Sequence, residues 1–76
     1  RFSRIRALTR LQDGPRTLSE LAEAMSIDAP AATVIVNDLE SRGLVERQAL
    51  PDDRRAKRVS LTAEGRRMVV TVNRIE

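Results

Sequence analysis

A chain of 76 residues with 14 Lys and Arg, 11 Asp and Glu, and neither His nor Cys excludes a great deal before any pattern is read. A His-based dyad, a thiol nucleophile, a disulfide and the usual zinc ligands are all ruled out as chemistry, and no cofactor is expected. One small domain is the limit, and a single core of this size rarely supplies more than about 3–5 kcal/mol, so a partner chain or flanking sequence is expected to support it.

The chain opens on Arg1 rather than Met, and its last apolar pattern still runs at Ile75. The expectation is one domain over 1–76, excerpted from a longer protein whose flanking helices are missing or partial. No apolar run approaches the roughly 18 residues of a membrane span, and no signal peptide is visible, so a cytoplasmic protein without a membrane partner is expected. The single aromatic residue, Phe2, argues against the stacking platforms of single-strand and RNA binders. Charge is unevenly placed. Residues 1–16 carry five Arg against Asp13, residues 17–48 carry six acids against Arg42 and Arg47, and residues 49–76 carry seven bases against four acids. Basic ends around an acidic middle are compatible with a polyanion partner and equally with a solvated surface.

Phe2, Ile5, Leu8 and Leu11 recur at helical spacing and predict a helix over about 2–12, stopped by Asp13-Gly14-Pro15. Its arginines read either as phosphate contacts or as a face for solvent or a partner chain. Thr17-Leu18-Ser19-Glu20 fits a capping box, opening a helix to about Met25 that buries Leu18, Leu21, Ala22 and Met25. After a turn at Ser26-Ile27, Asp28 caps a longer helix over about 29–42, with Pro30 tolerated in its first turn. Ala32, Ile35, Val36 and Leu39 form the buried stripe of that helix. Pro30, Val34, Asn37 and Ser41, flanked by Ala31, Thr33 and Asp38, form the opposite face. Two short helices across a tight turn make a helix-turn-helix, and its second helix would present that face to a major groove.

Gly43 then takes the position after the helix end, with Leu44 placed against Leu39 as a Schellman cap prefers. Leu44 to Gln48 and Lys57 to Leu61 read as paired strands, with Ala49 to Ala56 between them too long for a two-residue turn. Thr62 caps a last helix with the stripe Met68, Val69, Val72 and Ile75, which is expected to pack on an absent helix or a second subunit. The fold class expected is α+β, mostly helical: a winged helix-turn-helix with a two-stranded wing.

The run from Leu18 to Gly65 resembles the multiple-antibiotic-resistance regulator (MarR) family of bacterial winged-helix transcription factors. The resemblance rests on LSELAEAM, a capped helix ending LESRGLVER, the wing DDRRAKRVSLT and the following TAEG. It implies a dimer held by terminal helices, with one recognition helix (here about 29–42) per half-site in successive major grooves. It also implies an Asp-x-Arg pattern in the wing (about 49–56), whose Arg enters the minor groove. That pattern falls on Asp53 and Arg55, with Arg54 between. A guanidinium is drawn to the negative potential of a narrow minor groove, and Asp53 would orient it through a paired hydrogen bond. A small aromatic ligand between the DNA-binding lobe and the dimerisation helices is a further implication.

The recognition helix departs from the family pattern at Val34, where a polar or basic residue is frequent, and at Ala31, where Ser or Thr is frequent. Thr33 and Asn37 remain as base readers. Asn pairs bidentately with adenine, and Val34 and Ala31 suit thymine methyls, so the expectation is either selectivity that leans on the wing and on DNA shape or an A·T-rich operator. Acids at Asp28 and Asp38 oppose phosphate approach. The full candidate set is Leu18 and Ser19 (through backbone amides), Pro30, Thr33, Val34, Asn37, Arg54, Arg55, Lys57 and Arg58, with Asp53 orienting the wing.

Catalysis finds little support. Asp52 and Asp53 are adjacent and sit beside arginines that hold them ionised, and no phosphate-binding glycine loop is present. Two readings remain: a sequence-specific regulator of double-stranded DNA, and a winged helix that docks a protein partner instead. Arg54-Arg55 favours the first; the alanine-rich acidic middle and Val34 favour the second.

Overall fold

A computed structural model of the chain describes the backbone of residues 2–50 and 53–75 and the side chains of residues 3–49 and 57–71. The elements run α1 (Phe2–Arg10), β1 (Arg16–Thr17), α2 (Leu18–Met25), α3 (Ala29–Ser41), β2 (Val45–Leu50), β3 (Asp53–Leu61) and α4 (Ala63–Ile75). The strands form one antiparallel sheet in the order β1-β3-β2, with α2, α3 and α4 packed against it and α1 packed on the other three helices.

Local chemistry sets the helix ends. Thr17 Oγ1 accepts from the Glu20 amide at 3.1 Å while Glu20 Oε1 accepts from the Thr17 amide at 2.8 Å, closing the expected capping box. The Thr17 amide is the main reason the Glu20 carboxyl lies below its ordinary value of 4.5. Asp28 Oδ1 accepts from the Ala31 amide at 2.8 Å and caps α3. Between these helices Ser26 adopts φ +57, a left-handed conformation that glycine usually supplies. The Ile27 amide then closes back on the Ala22 carbonyl at 2.9 Å and fixes the turn.

At the far end of α3, Gly43 takes φ +75. Its amide donates to Glu40 O at 3.0 Å and that of Leu44 to Leu39 O at 3.0 Å, the two bonds of a Schellman cap. The start of α4 grips the same joint. Thr62 Oγ1 donates to Gly43 O at 2.6 Å and accepts from the Gly65 amide at 3.0 Å, and the Thr62 amide donates to Leu44 O at 3.1 Å. Gly65 lies so close that a Cβ there would stand 2.1 Å from Leu44 O.

The core joins Ala7 and Leu8 of α1, Leu11 just past its end, Leu21 and Met25 of α2, Val36 and Leu39 of α3, Leu44 at the joint, Val45, Val59 and Leu61 of the ribbon, and Val69 of α4. Leu18, Ile27 and Ile35 pack half-buried against it.

Four expectations need correction. Helix α1 ends at Arg10, with Leu11 to Asp13 in a turn, and Ala7 rather than Ile5 faces the core; Ile5 remains 37% exposed. Met68 is 43% exposed, so the buried member of its stripe is Val69, while the side chains of Phe2, Val72 and Ile75 lie outside the described residues. A third strand, Arg16–Thr17, pairs with Val59 and Arg58. Two residues are too few to show a period, and pairing with β3 alone makes them a strand.

The ribbon is also longer than expected. After Ala49↔Lys57 the register jumps to Leu50↔Asp53, so residues 54–56 stand opposite no residue of β2. Backbone groups keep pairing where they can, which carries the ladder past the turn-forming composition. The extra residues make a bulge, a feature that bends a strand and increases its twist. Pro51 and Asp52 lie outside the described residues.

These joints respond differently to substitution. Gly65→Ala is expected to cost about 1–3 kcal/mol, since backbone must move to admit the methyl. Ser26→Gly is expected to cost nothing and to gain up to about 1 kcal/mol, since it relieves a left-handed Ser. Urea denaturation of both variants checks the pair, and a Gly65→Ala midpoint equal to that of the parent would contradict the close approach.

Candidate nucleic-acid interface

The sheet's alternation decides which side chains meet the helices. Val45 and Val59 point inward and are buried, and two residues along each strand, on the same face, stand Arg47 and Lys57. The β1–β3 pairing sets Thr17, the cap of α2, on the edge of this sheet. Three elements therefore converge on one groove of about 450 Å³: Thr17, Leu18 and Ser19 at the start of α2, Thr33 on α3, and Arg47, Lys57 and Val59 on the ribbon.

The groove brings together four of the expected contact residues, Leu18, Ser19, Thr33 and Lys57. Amides in the first turn of a helix have no intrahelical partner, so Leu18 and Ser19 offer donors at its rim. The Thr33 hydroxyl donates to Ala29 O at 3.0 Å and keeps its lone pairs for an incoming donor. Along the outer face of α3, Pro30 and Asn37 are exposed, and Val34 is 68% exposed.

Arg58 is exposed but is not among the groove residues. Alternation puts it on the other face of the ribbon with Ser60, and its charge falls on Glu20. The backbone of residues 53–55 lies in β3, but the side chains of Asp53, Arg54 and Arg55 lie outside the described residues.

The α1 arginines that are described also make contacts within the fold. Arg6 Nη2 donates to Met25 O at 2.9 Å and Arg10 Nε to Ala24 O at 3.2 Å, so both cap the carbonyl end of α2. Cations at that end of a helix complement its dipole. Arg16 Nε in turn donates to Arg10 O at 2.8 Å and closes the end of α1. Arg4 Nε meets Asp38 Oδ2 at 2.6 Å and thereby ties α1 to α3.

The acidic middle of the chain is likewise largely consumed. Glu20 and Asp28 cap helices, Asp38 lies between Arg4 and Arg42, and Glu40 sits 4.0 Å from Arg47. The expected opposition of Asp28 and Asp38 to phosphate is weakened accordingly. Partial desolvation works against the Asp38 carboxylate. The hydrogen bond from Arg42, the charges of Arg4 and Arg42 and the hydrogen bond from Arg4 outweigh it and hold this carboxyl below its ordinary value of 3.8.

Arg47 is the residue that sequence reasoning missed. Its Nη2 donates to Asn37 Oδ1 at 2.5 Å, so Asn37, one of the two expected base readers of α3, is held from the sheet. The signal was present: Arg47 is in phase with buried Val45 on a strand with one buried face.

Comparison with known proteins places this geometry. The family model described as "MarR family" matches residues 3–57. A probable transcriptional regulator from Pseudomonas aeruginosa is 35% identical, with a TM-score of 0.88 over 93% of this chain and 55% of that one. The transcriptional regulator BldR from Sulfolobus solfataricus is 30% identical, with a TM-score of 0.89 over 96% of this chain and 52% of that one. A mutant of MarR from E. coli complexed with operator DNA is 29% identical, with a TM-score of 0.90 over 95% and 52%. The chain spans about half the length of these solved structures.

The clamp on Asp38 carries a pH signature. A carboxyl held below its unfolded value stabilises the fold above that value, and the contribution is lost as pH falls through the folded one. Asp38→Asn is therefore expected to lower the unfolding midpoint at pH 7 and to flatten the acid-side loss of stability below about pH 4. Thermal melts from pH 7 to 2 check this, and an acid limb as steep as that of the parent would contradict it.

Proposed function

The chain belongs to the MarR family, and from that premise we propose that it is the DNA-binding lobe of a transcriptional regulator that recognises a specific double-stranded sequence. The observation that carries the reading is the groove, where the amide end of α2, Thr33 of α3 and the cations of the ribbon converge. A helix of this kind enters a major groove with its exposed side chains toward the bases. Pro30, Thr33, Val34 and Asn37 would meet base edges there.

The amides of Leu18 and Ser19 would hold a phosphate of the flanking backbone, and Lys57 would hold another. Arg58, on the other face of the ribbon, would reach the duplex only where DNA bends around the wing. Arg55 would enter the minor groove, oriented by Asp53, as the family resemblance implies, and Arg54 would add a phosphate contact. The bulge at residues 54–56 supports this part of the proposal, because an irregular strand can turn side chains off the plane of a sheet.

A homodimer completes the proposal, with flanking helices pairing two lobes so that their α3 helices address successive major grooves. Exposed Met68 and Val70 on α4 and Ile5 on α1 support it, since they leave apolar side chains uncovered outside the groove. A small aromatic ligand between the lobe and those helices is the proposed regulator, and it rests on the family alone.

Electrostatic recognition makes a quantitative demand. Affinity for mixed-sequence duplex should fall with salt, with a log–log slope of about −0.9 for each phosphate neutralised. Arg54→Ala/Arg55→Ala should weaken binding at low salt and reduce that slope. Fluorescence anisotropy of labelled duplex measures both quantities. A parent and double variant of equal affinity would favour a winged helix that docks a protein partner, for which exposed Val34 is the supporting observation.

A further inference from the structure

Asn37 was read from the sequence as a residue free to pair with adenine. That pairing needs both ends of the carboxamide: the oxygen takes a proton from adenine N6 and the amino group gives one to N7. One of the oxygen's two lone pairs is already engaged from the protein side. Arg47 reaches up from the inner face of β2 and donates from Nη2 to Asn37 Oδ1 at 2.5 Å. Its position is doubly set, because Arg47 is in register with buried Val59 on β3 and its Nε lies 4.0 Å from Glu40 Oε1 on the next turn of α3.

The bond also decides how the amide is turned. A guanidinium has donors only, so the oxygen of Asn37 must face Arg47 and the amino group must face away. Asn37 itself is exposed, and its amino group makes no hydrogen bond among the described residues. An amino group offers only donors. Guanine presents two adjacent acceptors, N7 and O6, in the major groove, whereas adenine presents one acceptor beside a donor.

We propose that Arg47 is a specificity-determining positioning residue: by holding Asn37 Oδ1 it turns the Asn37 amino group outward, so that this position of α3 reads guanine in preference to adenine. The inference rests on the DNA-binding reading above and replaces the A·T preference that Asn37 alone suggests.

Selection from random duplexes at one fixed salt concentration tests it, using the intact protein, Arg47→Met and Asn37→Ala. Met keeps much of the length and removes the donors. The parent should prefer G over A by about fivefold or more at the base pair whose preference Asn37→Ala flattens. Arg47→Met should move that base pair toward A or level it, with preferences elsewhere kept.

Two results overturn the proposal alone. One is a parent that prefers A at the base pair sensitive to Asn37→Ala. The other is an Arg47→Met protein that loses affinity for all sequences alike, with an unchanged base profile and a salt slope smaller by about 0.9, which would make Arg47 a phosphate contact. Should Arg47→Met fail to fold by circular dichroism, the parent and Asn37→Ala still decide between G and A. A parent that selects no sequence and binds no duplex overturns the DNA reading itself, and this inference falls with it.

Discussion

The joint at Gly43 and Leu44 governs what the outer face of α3 can do. Four elements meet there through backbone and hydroxyl groups: the end of α3, the start of β2, the end of β3 and the start of α4. Gly43 supplies the left-handed turn, and Thr62 ties its carbonyl to the head of α4. Gly65 lets α4 approach the Leu44 carbonyl more closely than any side chain would permit. Because these bonds are short and local, the angle between α3 and the ribbon is set by the joint and not by long surface side chains. A recognition surface built from two elements needs that constancy, since a small misplacement of one spoils contacts made by the other.

Charge is then distributed around this frame with a clear division of labour. The basic first segment is spent on internal contacts: Arg6 and Arg10 close α2, Arg16 closes α1, and Arg4 holds Asp38. Exposed ion pairs stabilise little singly, so their main effect here is to place charge. The Arg4–Asp38–Arg42 cluster removes a repulsive carboxylate from the neighbourhood of α3. What remains facing the groove is cationic, through Arg47 and Lys57. Net charge left the first helix open to a polyanion or to solvent; the hydrogen bonds show what its arginines do within the fold.

Much of the architecture was legible because it is written in local chemistry. The capping box at Thr17, the Asp28 cap, the stop at Gly43 and the apolar stripe of α3 depend on residues within a turn of one another, and the structure repeats them. Features that depend on long-range pairing were not legible. Strand β1 exists only because β3 lies beside it, and the bulge at residues 54–56 follows from where the ladder can continue. The same holds at the candidate site. Leu18, Ser19 and Lys57 could be singled out because helix starts and strands are visible in sequence, and Thr33 because it flanks the outer face of a periodic helix; the structure brings all four to one groove. Arg47 was missed because its role is a contact across ten residues to Asn37.

The most direct test of a single surface made by α2, α3 and the ribbon is amide chemical-shift mapping during titration with duplex. Shifts concentrated at Leu18, Ser19, Thr33, Asn37, Arg47 and Lys57, with Arg6 and Arg10 unmoved, are the expected result. Shifts concentrated on α1 and the outer face of α4, with the groove amides unmoved, would contradict it.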